Sequence, residues 1–349
     1  MQRISRLMIS ALATAGLYMM SAGTDVHMQR TEAGRMKNVV LVTAEPTQAA
    51  FAPQEGPEIP VETERIQAEQ PEELRAFILP EENRTENFTA AKRDENVLET
   101  TIEGGMRIKN ETGYYVDAAE LLGRGPGIKL EAEGPQMLII HTHSSEAYTQ
   151  AGLDRYVPSD TNRTEDTQFN IVRIGDELTE ILIDCGLNVI HDRGIYDYPS
   201  YTGSYSRSAA AIEQYLESYP TIQIVLDIHR DALGSDGVVY KTMAEEDGSC
   251  ASQIMLLAGS DDSGLHHPGW QNNLALALYL QNAVVQQNPT LMRPVSLVKE
   301  RYNQHLSPGS LIVEVGSSGN TLQEALAAIR LFGKAVGPEI FKLISNSEE

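Results

Sequence analysis

From about residue 106 onward, apolar and polar positions follow two rhythms, one of period two and one of helical period. The apolar run at 137–140 predicts a short strand ending at His141. Across 169–185, Ile171, Ile174, Leu178, Ile181 and Leu182 recur at helical spacing, and Gly186 is placed to close that helix. The same reading predicts a strand at 187–190, a helix at 204–218 that stops before Pro220, and the clearest strand, IQIVLDI, at 222–228. Further strands are expected at 238–243, 254–258, 295–298 and 311–315, with helices at 270–286 and 321–344. A short helical piece, VDAAELLGR, precedes them. Strands alternating with helices of this length imply an α/β domain over 106–349, with a mostly parallel or mixed central sheet flanked by helices.

The first hundred residues have a different character. Arg3 and Arg6 precede an uncharged, mostly apolar run from Leu7 to Gly23. Residues 1–23 are therefore expected to be a signal peptide or signal-anchor, with the basic flank in the cytoplasm and the rest exported. Ser21, Ala22 and Gly23 suit either a cleavage site or the end of an anchor. Residues 24–105 read as an acidic, Pro/Glu-rich linker, mostly disordered, with a short helix near 71–78.

The 349 residues are 41% hydrophobic, enough to build a core in at least one domain. A formal net charge of -22 argues against nucleic acid and anionic lipid as partners, because polyanions repel, although acidity also simply keeps a protein soluble. Two cysteines, Cys185 and Cys250, are too few for a disulfide framework and lack zinc-ribbon spacing. Two buried thiols are expected, with a single disulfide as the alternative.

The chemistry gathers at strand ends. MLII runs into His141, Thr142, His143, Ser144, Ser145 and Glu146; IQIVLDI runs into His229, Arg230 and Asp231; LIV runs into Glu314. If those strands are parallel neighbours, the clusters meet at one edge of the sheet, where α/β sheets bind ligands. Two imidazoles and a carboxylate form a catalytic zinc set, so His143, Glu146 and His229 are the candidate metal ligands. Glu314, in an otherwise apolar strand, is the candidate acid/base. His141 competes with His143 for the first ligand position, because residues two apart in a continuing strand share a face. His143 gives the H-x-x-E spacing, which leaves His141 either behind the ligands or on the substrate side. Arg230 is a candidate for steadying an oxyanion, or equally an ion pair that fixes its loop. Asp231, Tyr148 and Asn170 are candidate substrate contacts. No G-x-S-x-G elbow surrounds Ser144 or Ser145, so neither reads as a nucleophile.

The segments LIIHTHSSEAY, DIHRDA and LIVEVGSSGNT, in that order, resemble the stage II sporulation protein P family over about residues 135–343. They are also similar to the wider zinc-dependent N-acetylmuramoyl-L-alanine amidases, whose motif positions fall on His143, His229 and Glu314. The resemblance implies a membrane-anchored, extracytoplasmic peptidoglycan hydrolase that cuts the amide between the muramyl sugar and the stem peptide. In some members endopeptidase activity on cross-links accompanies it. It further implies work in the intermembrane space of the sporangium during engulfment, with a lytic transglycosylase and a membrane protein as partners. One departure concerns the carboxylate: the wider amidases take it from a helix well after the first histidine, which keeps Glu165 and Glu177 as alternatives to Glu146. A zinc carboxypeptidase-like hydrolase, using Arg230 or Arg301 to hold a terminal carboxylate, and a non-catalytic wall-binding scaffold are the competing functions.

Overall fold

The computed structural model describes residues 26–30, 36–40, 97–100, 105–235, 238–245 and 250–344. The expected membrane segment, 1–23, lies outside the described residues, as do most of the linker and the helix expected near 71–78. No helix among the described residues is long and apolar enough to cross a membrane. Within 24–105, β1 (Val26–Arg30) pairs antiparallel with β2 (Met36–Val40). β3 (Val97–Thr100) pairs in parallel with β9 (Val238–Thr242), which turns back through β8 (Gly234–Ser235).

Seven strands form the main sheet: β4 (Ile108–Asn110), β5 (Met137–Ile140), β6 (Val189–His191), β7 (Ile224–Asp231), β10 (Ile254–Ala258), β11 (Val295–Leu297) and β12 (Gly309–Ser317). Their spatial order is β4-β11-β10-β12-β7-β5-β6. β6, β5, β7 and β12 are mutually parallel, β12 meets β10 antiparallel, and β10, β11 and β4 are again parallel. The sheet is mixed, and β12, β7 and β5 are the parallel neighbours that the clustered motifs require.

The two faces are covered unequally, and the strands' alternation sorts their residues accordingly. Met137, Ile139, Leu226, Ile228, Val313 and Val315 join one large core with α2 (Ile171–Asp184), α4 (Trp270–Val285) and α5 (Leu322–Phe341). The other face packs Leu138, Ile140 and Val225 against α3 (Ser204–Ser218), and Ile312 joins a small cluster with Leu257 and Val298. Asp227, His229 and Glu314 follow Val225 and Ile312 at two-residue steps, so they stand on this second, thinly covered face.

α2 ends as its sequence predicts: Gly186 takes φ +98°, and the Leu187 N–H donates to the Leu182 carbonyl at 3.1 Å. α1 (Ala118–Arg124) is the short piece expected in VDAAELLGR. Two strands run further than their apolar runs. β7 continues through His229 and Arg230 to Asp231, and β12 continues to Ser317, because their backbones stay paired beyond the last apolar side chain. The expectation of two buried thiols is corrected: Cys185 is partly exposed and Cys250 exposed, and no disulfide joins them.

Candidate functional site

β5 stops at Ile140, and residues 142–145 turn at once. The Glu146 N–H donates to the His143 carbonyl at 3.0 Å, which closes the H-x-x-E turn. Asp197 braces it from outside, accepting from the Ser145 N–H at 3.0 Å and from the Ser145 hydroxyl at 2.7 Å.

This turn separates the two competing histidines. His143 points to the thinly covered face, its ring 5.3 Å from that of His229 and nearly perpendicular to it. His141 is fully buried: its Nδ1 donates to the Ile228 carbonyl at 3.1 Å, and its Nε2 lies 2.8 Å from His191 Nε2. The same-face expectation assumed a continuing strand and fails because the strand has ended. His141 is thereby walled off from any substrate. His191 in turn faces Asp176 at 3.2 Å, and Asp176 pairs with Arg193.

The register sets His229 directly beside Glu314. Glu146 reaches in from the turn, with its Oε2 3.4 Å from His229 Nδ1 and accepting from the Arg230 N–H at 3.2 Å. On the other side of the ring, His229 Nε2 lies 3.0 Å from Asp227 Oδ1, without hydrogen-bond alignment. Asp227 is fixed by the Thr142 N–H at 2.8 Å and the Thr142 hydroxyl at 2.6 Å. Ser204, at the start of α3, faces His143 Nδ1 at 3.3 Å. Tyr201 stacks on the His143 ring at 4.4 Å, and Tyr205 meets it edge-on.

The electrostatics reflect a crowd of carboxylates around a buried imidazole. Burial alone would discharge His229, but Asp227 and Glu146 outweigh it and push its pKa well above the ordinary value. Burial likewise opposes the Glu146 charge, yet Arg230 and His229 bring its carboxyl down to about 2. His143 is lowered to about 4 by burial and by the neighbouring His229. Glu314 is raised to about 8: burial is the main cause, and Asp231 and Glu146 add to it against the pull of His229. Its Oε2 is buried and has no hydrogen-bond partner.

Among the described residues, no three His, Cys, Asp or Glu side chains stand arranged as a finished metal cluster. The donor set nevertheless fits a divalent cation in kind. Glu146 lies 3.4 Å from His229 Nδ1, the His143 ring lies 5.3 Å from that of His229, and Asp227 and Glu146 favour positive charge on His229 as they would favour a cation beside it.

The other expected residues divide. Tyr148 is buried and its hydroxyl donates to the Val315 carbonyl at 2.9 Å, while Asn170 caps α2 by accepting from the Val172 N–H at 3.0 Å. Both expectations of substrate contact are corrected, because the polar ends are spent inside the fold. Arg230 donates from Nε to the Ala147 carbonyl and from a terminal nitrogen to the Asn162 carbonyl, each at 3.1 Å, and lies 3.8 Å from Glu146. That geometry suits the loop-fixing reading of Arg230 rather than an oxyanion contact. Asp231 pairs with Arg293 at 2.8 Å. Glu177 is held by Arg173 and Arg330, and Glu165 is exposed, which leaves Glu146 as the carboxylate beside His229. His305 sits in a 3-10 turn, Gln304–Leu306, facing His267 at 6.4 Å.

Sequence reasoning missed Asp227, Ser204, Arg163, Asp197 and Tyr201. Asp227 carried a signal, since a carboxylate inside IQIVLDI needs a reason as much as Glu314 does. The others lie in loops or at a helix start, where no periodicity points to them.

Structural comparison aligns 60% of this chain with 98% of the N-acetylmuramoyl-L-alanine amidase AmiC2 of Nostoc punctiforme, at 14% identity and a TM-score of 0.35. It aligns 62% with all of the N-acetylmuramoyl-L-alanine amidase from Clostridium difficile 630 (13%, 0.32), and 60% with 99% of the catalytic domain of CwlV, the amidase from Bacillus (Paenibacillus) polymyxa var. colistinus (12%, 0.34). Identities and scores of this size carry no argument about activity. A curated relative, the stage II sporulation protein P of Bacillus subtilis (strain 168), is 22% identical over 203 residues, covering 54% of this chain and 47% of the relative. The chain thus spans about half the length of that protein. The family model described as Stage II sporulation protein P matches residues 31–337, a span that takes in β5, β7 and β12 with every side chain they bring together. On that match, the chain belongs to the stage II sporulation protein P family.

Proposed function

We propose that the chain is a peptidoglycan hydrolase that cuts the amide between the muramyl sugar and the L-alanine of the stem peptide. His143, Glu146 and His229 hold a zinc ion, and Glu314 handles the proton. The observation that carries this reading is the register of β7 and β12, which sets His229 and Glu314 side by side on the thinly covered face, with Glu146 against His229. When bound, zinc supplies Lewis acidity and makes water a nucleophile near neutral pH.

The chain's own groups supply the rest. Glu314 takes a proton from the attacking water at its unpartnered Oε2 and delivers it to the departing nitrogen of L-alanine. The water oxygen ends in the muramyl carboxylate and the released stem peptide carries a free amino terminus. Asp227 and Ser204 flank the far sides of His229 and His143, where outer groups orient metal-binding imidazoles. Arg230 holds Glu146 and the loop behind it. The resemblance, rather than the described residues, supports tethering through residues 1–23, an extracytoplasmic setting, and work with a lytic transglycosylase and a membrane protein during engulfment.

The carboxypeptidase alternative needs a free cation for a terminal carboxylate. Arg230 is committed to two backbone carbonyls, which speaks against its holding one. The test is digestion of purified peptidoglycan by the full chain with zinc, with the fragments read by mass spectrometry. Intact stem peptides with a free L-alanine amino terminus are expected. Release of single terminal amino acids would favour the carboxypeptidase, and no digestion with any divalent metal would favour the scaffold.

A further inference from the structure

Arg163 has no part in the chemistry just described, yet its side chain touches Glu146, Asp197, Ser145 and Tyr201. Its backbone is zipped to the H-x-x-E turn: the Ala147 N–H donates to the Asn162 carbonyl at 2.9 Å and the Thr164 N–H donates to the Ser145 carbonyl at 2.8 Å. The side chain is 17% exposed and spreads its planar fork over three partners. One terminal nitrogen meets Asp197 at 2.5 Å and the Ser145 hydroxyl at 3.2 Å. The other donates to Glu146 Oε1 at 3.3 Å. The guanidinium carbon also lies 5.1 Å from the centre of the Tyr201 ring, within cation–π range. Tyr201 in turn stacks on His143 at 14° between planes.

We propose that Arg163 is a positioning residue for the metal centre: it pins Glu146 by Oε1, leaving Oε2 to face His229, and through Tyr201 it fixes the ring plane of His143. The inference rests on the reading of His143, Glu146 and His229 as zinc ligands.

The physical reason lies in the two side chains it controls. The terminal torsion of a glutamate is broad and roughly two-fold, so a carboxylate held at Oε2 by the Arg230 N–H alone still has its other oxygen to fix. An imidazole with one open flank likewise has its tilt to fix. A rigid, five-donor fork can hold the carboxylate and Asp197 at once and still present a flat cation to an aromatic ring. Lysine, a single flexible ammonium, can keep the pairing with Asp197 but cannot make all three contacts. A plain structural brace would need only the ion pair with Asp197.

The experiment measures zinc affinity of the full chain by competition with a chelator, for wild type, Arg163→Lys, Arg163→Ala and Tyr201→Ala. Thermal melting of the metal-free proteins runs beside it, and His229→Ala serves as the reference for a lost ligand. Outer-shell partners of metal ligands typically matter by about 10–100-fold in affinity, and that loss is expected for both Arg163 variants. Tyr201→Ala should weaken binding in the same direction. The visible spectrum of cobalt bound in place of zinc should shift in Arg163→Lys even where its melting matches wild type, a change that a brace alone would not produce. If Arg163→Lys melts and binds zinc like wild type with an unchanged cobalt spectrum, the inference is overturned and Arg163 is a brace. If Arg163→Ala fails to fold, Arg163→Lys decides alone. If His229→Ala keeps full zinc affinity, the metal reading fails and takes this inference with it.

Discussion

Glu314 shows how a single position can carry chemistry through its surroundings. Its carboxyl is raised to about 8 because burial and the nearby carboxylates resist its charge. A divalent cation on the neighbouring ligands favours the charged form and moves the ionisation downward. As a proton acceptor Glu314 works only when ionised. The hydrolysis rate should therefore rise with pH through a group titrating below 8, and Glu314→Gln should remove that limb. The same substitution should lower the rate by about 10²–10⁴-fold while leaving zinc bound. A Glu314→Gln protein that keeps wild-type digestion would remove Glu314 from the mechanism. At this scale the sequence was most legible where a polar group interrupted apolar strand. Glu314 met that criterion and Asp227 met it unnoticed, whereas His143, Glu146 and His229 stood out because they follow directly on apolar runs. Arg163, Asp197 and Tyr201 act from loops, where polarity is ordinary and gives no warning.

At the scale of elements, the end of α2 was readable because Gly186 announces it. Its start was not, since Asn170, which opens it with a side-chain bond to the Val172 N–H, read as a substrate contact. The ends of β7 and β12 were not readable, because backbone pairing continues past the last apolar residue. The pattern placed β5 at 137–140 but did not show that the chain turns at once after His141, which is why two histidines with the same apparent status part company. α2 makes the separation firm. A Cβ on Gly175 would lie 2.5 Å from both His141 Nε2 and His191 Nε2. Alanine is the better helix former by about 1 kcal/mol, so propensity alone predicts that Gly175→Ala stabilises. The close approach predicts the reverse, a loss of about 1–3 kcal/mol from overpacking, read as a lower urea midpoint. An unchanged or higher midpoint would mean that α2 does not press on the histidine pair.

At the scale of the molecule, acid stability offers a test independent of catalysis. Asp176 lies behind the site, and burial tends to raise its carboxyl. His191 and Arg193 outweigh that and bring it to about 2, from an ordinary 3.8. A carboxyl lowered on folding adds stability that is fully present above its unfolded pKa and disappears as pH falls through the folded one. The contribution, about 2 kcal/mol, should therefore vanish between pH 3.8 and about 2, and Asp176→Asn should flatten that part of the stability curve. A variant with the same acid limb as wild type would put the effect elsewhere. The global features that could be anticipated were the alternating architecture and the meeting of three strand ends. The mixed order β4-β11-β10-β12-β7-β5-β6, with β10 reversed against β12, could not be anticipated, since pairing partners distant in sequence leave no local mark.

The central claim is that His143, Glu146 and His229 form one metal centre beside Glu314, and metal content tests it most directly. Elemental analysis of the purified full chain should find about one zinc per molecule in the wild type, and close to none in a folded His229→Ala protein. Zinc absent from the wild type after supplementation, or retained in full by His229→Ala, would contradict the account.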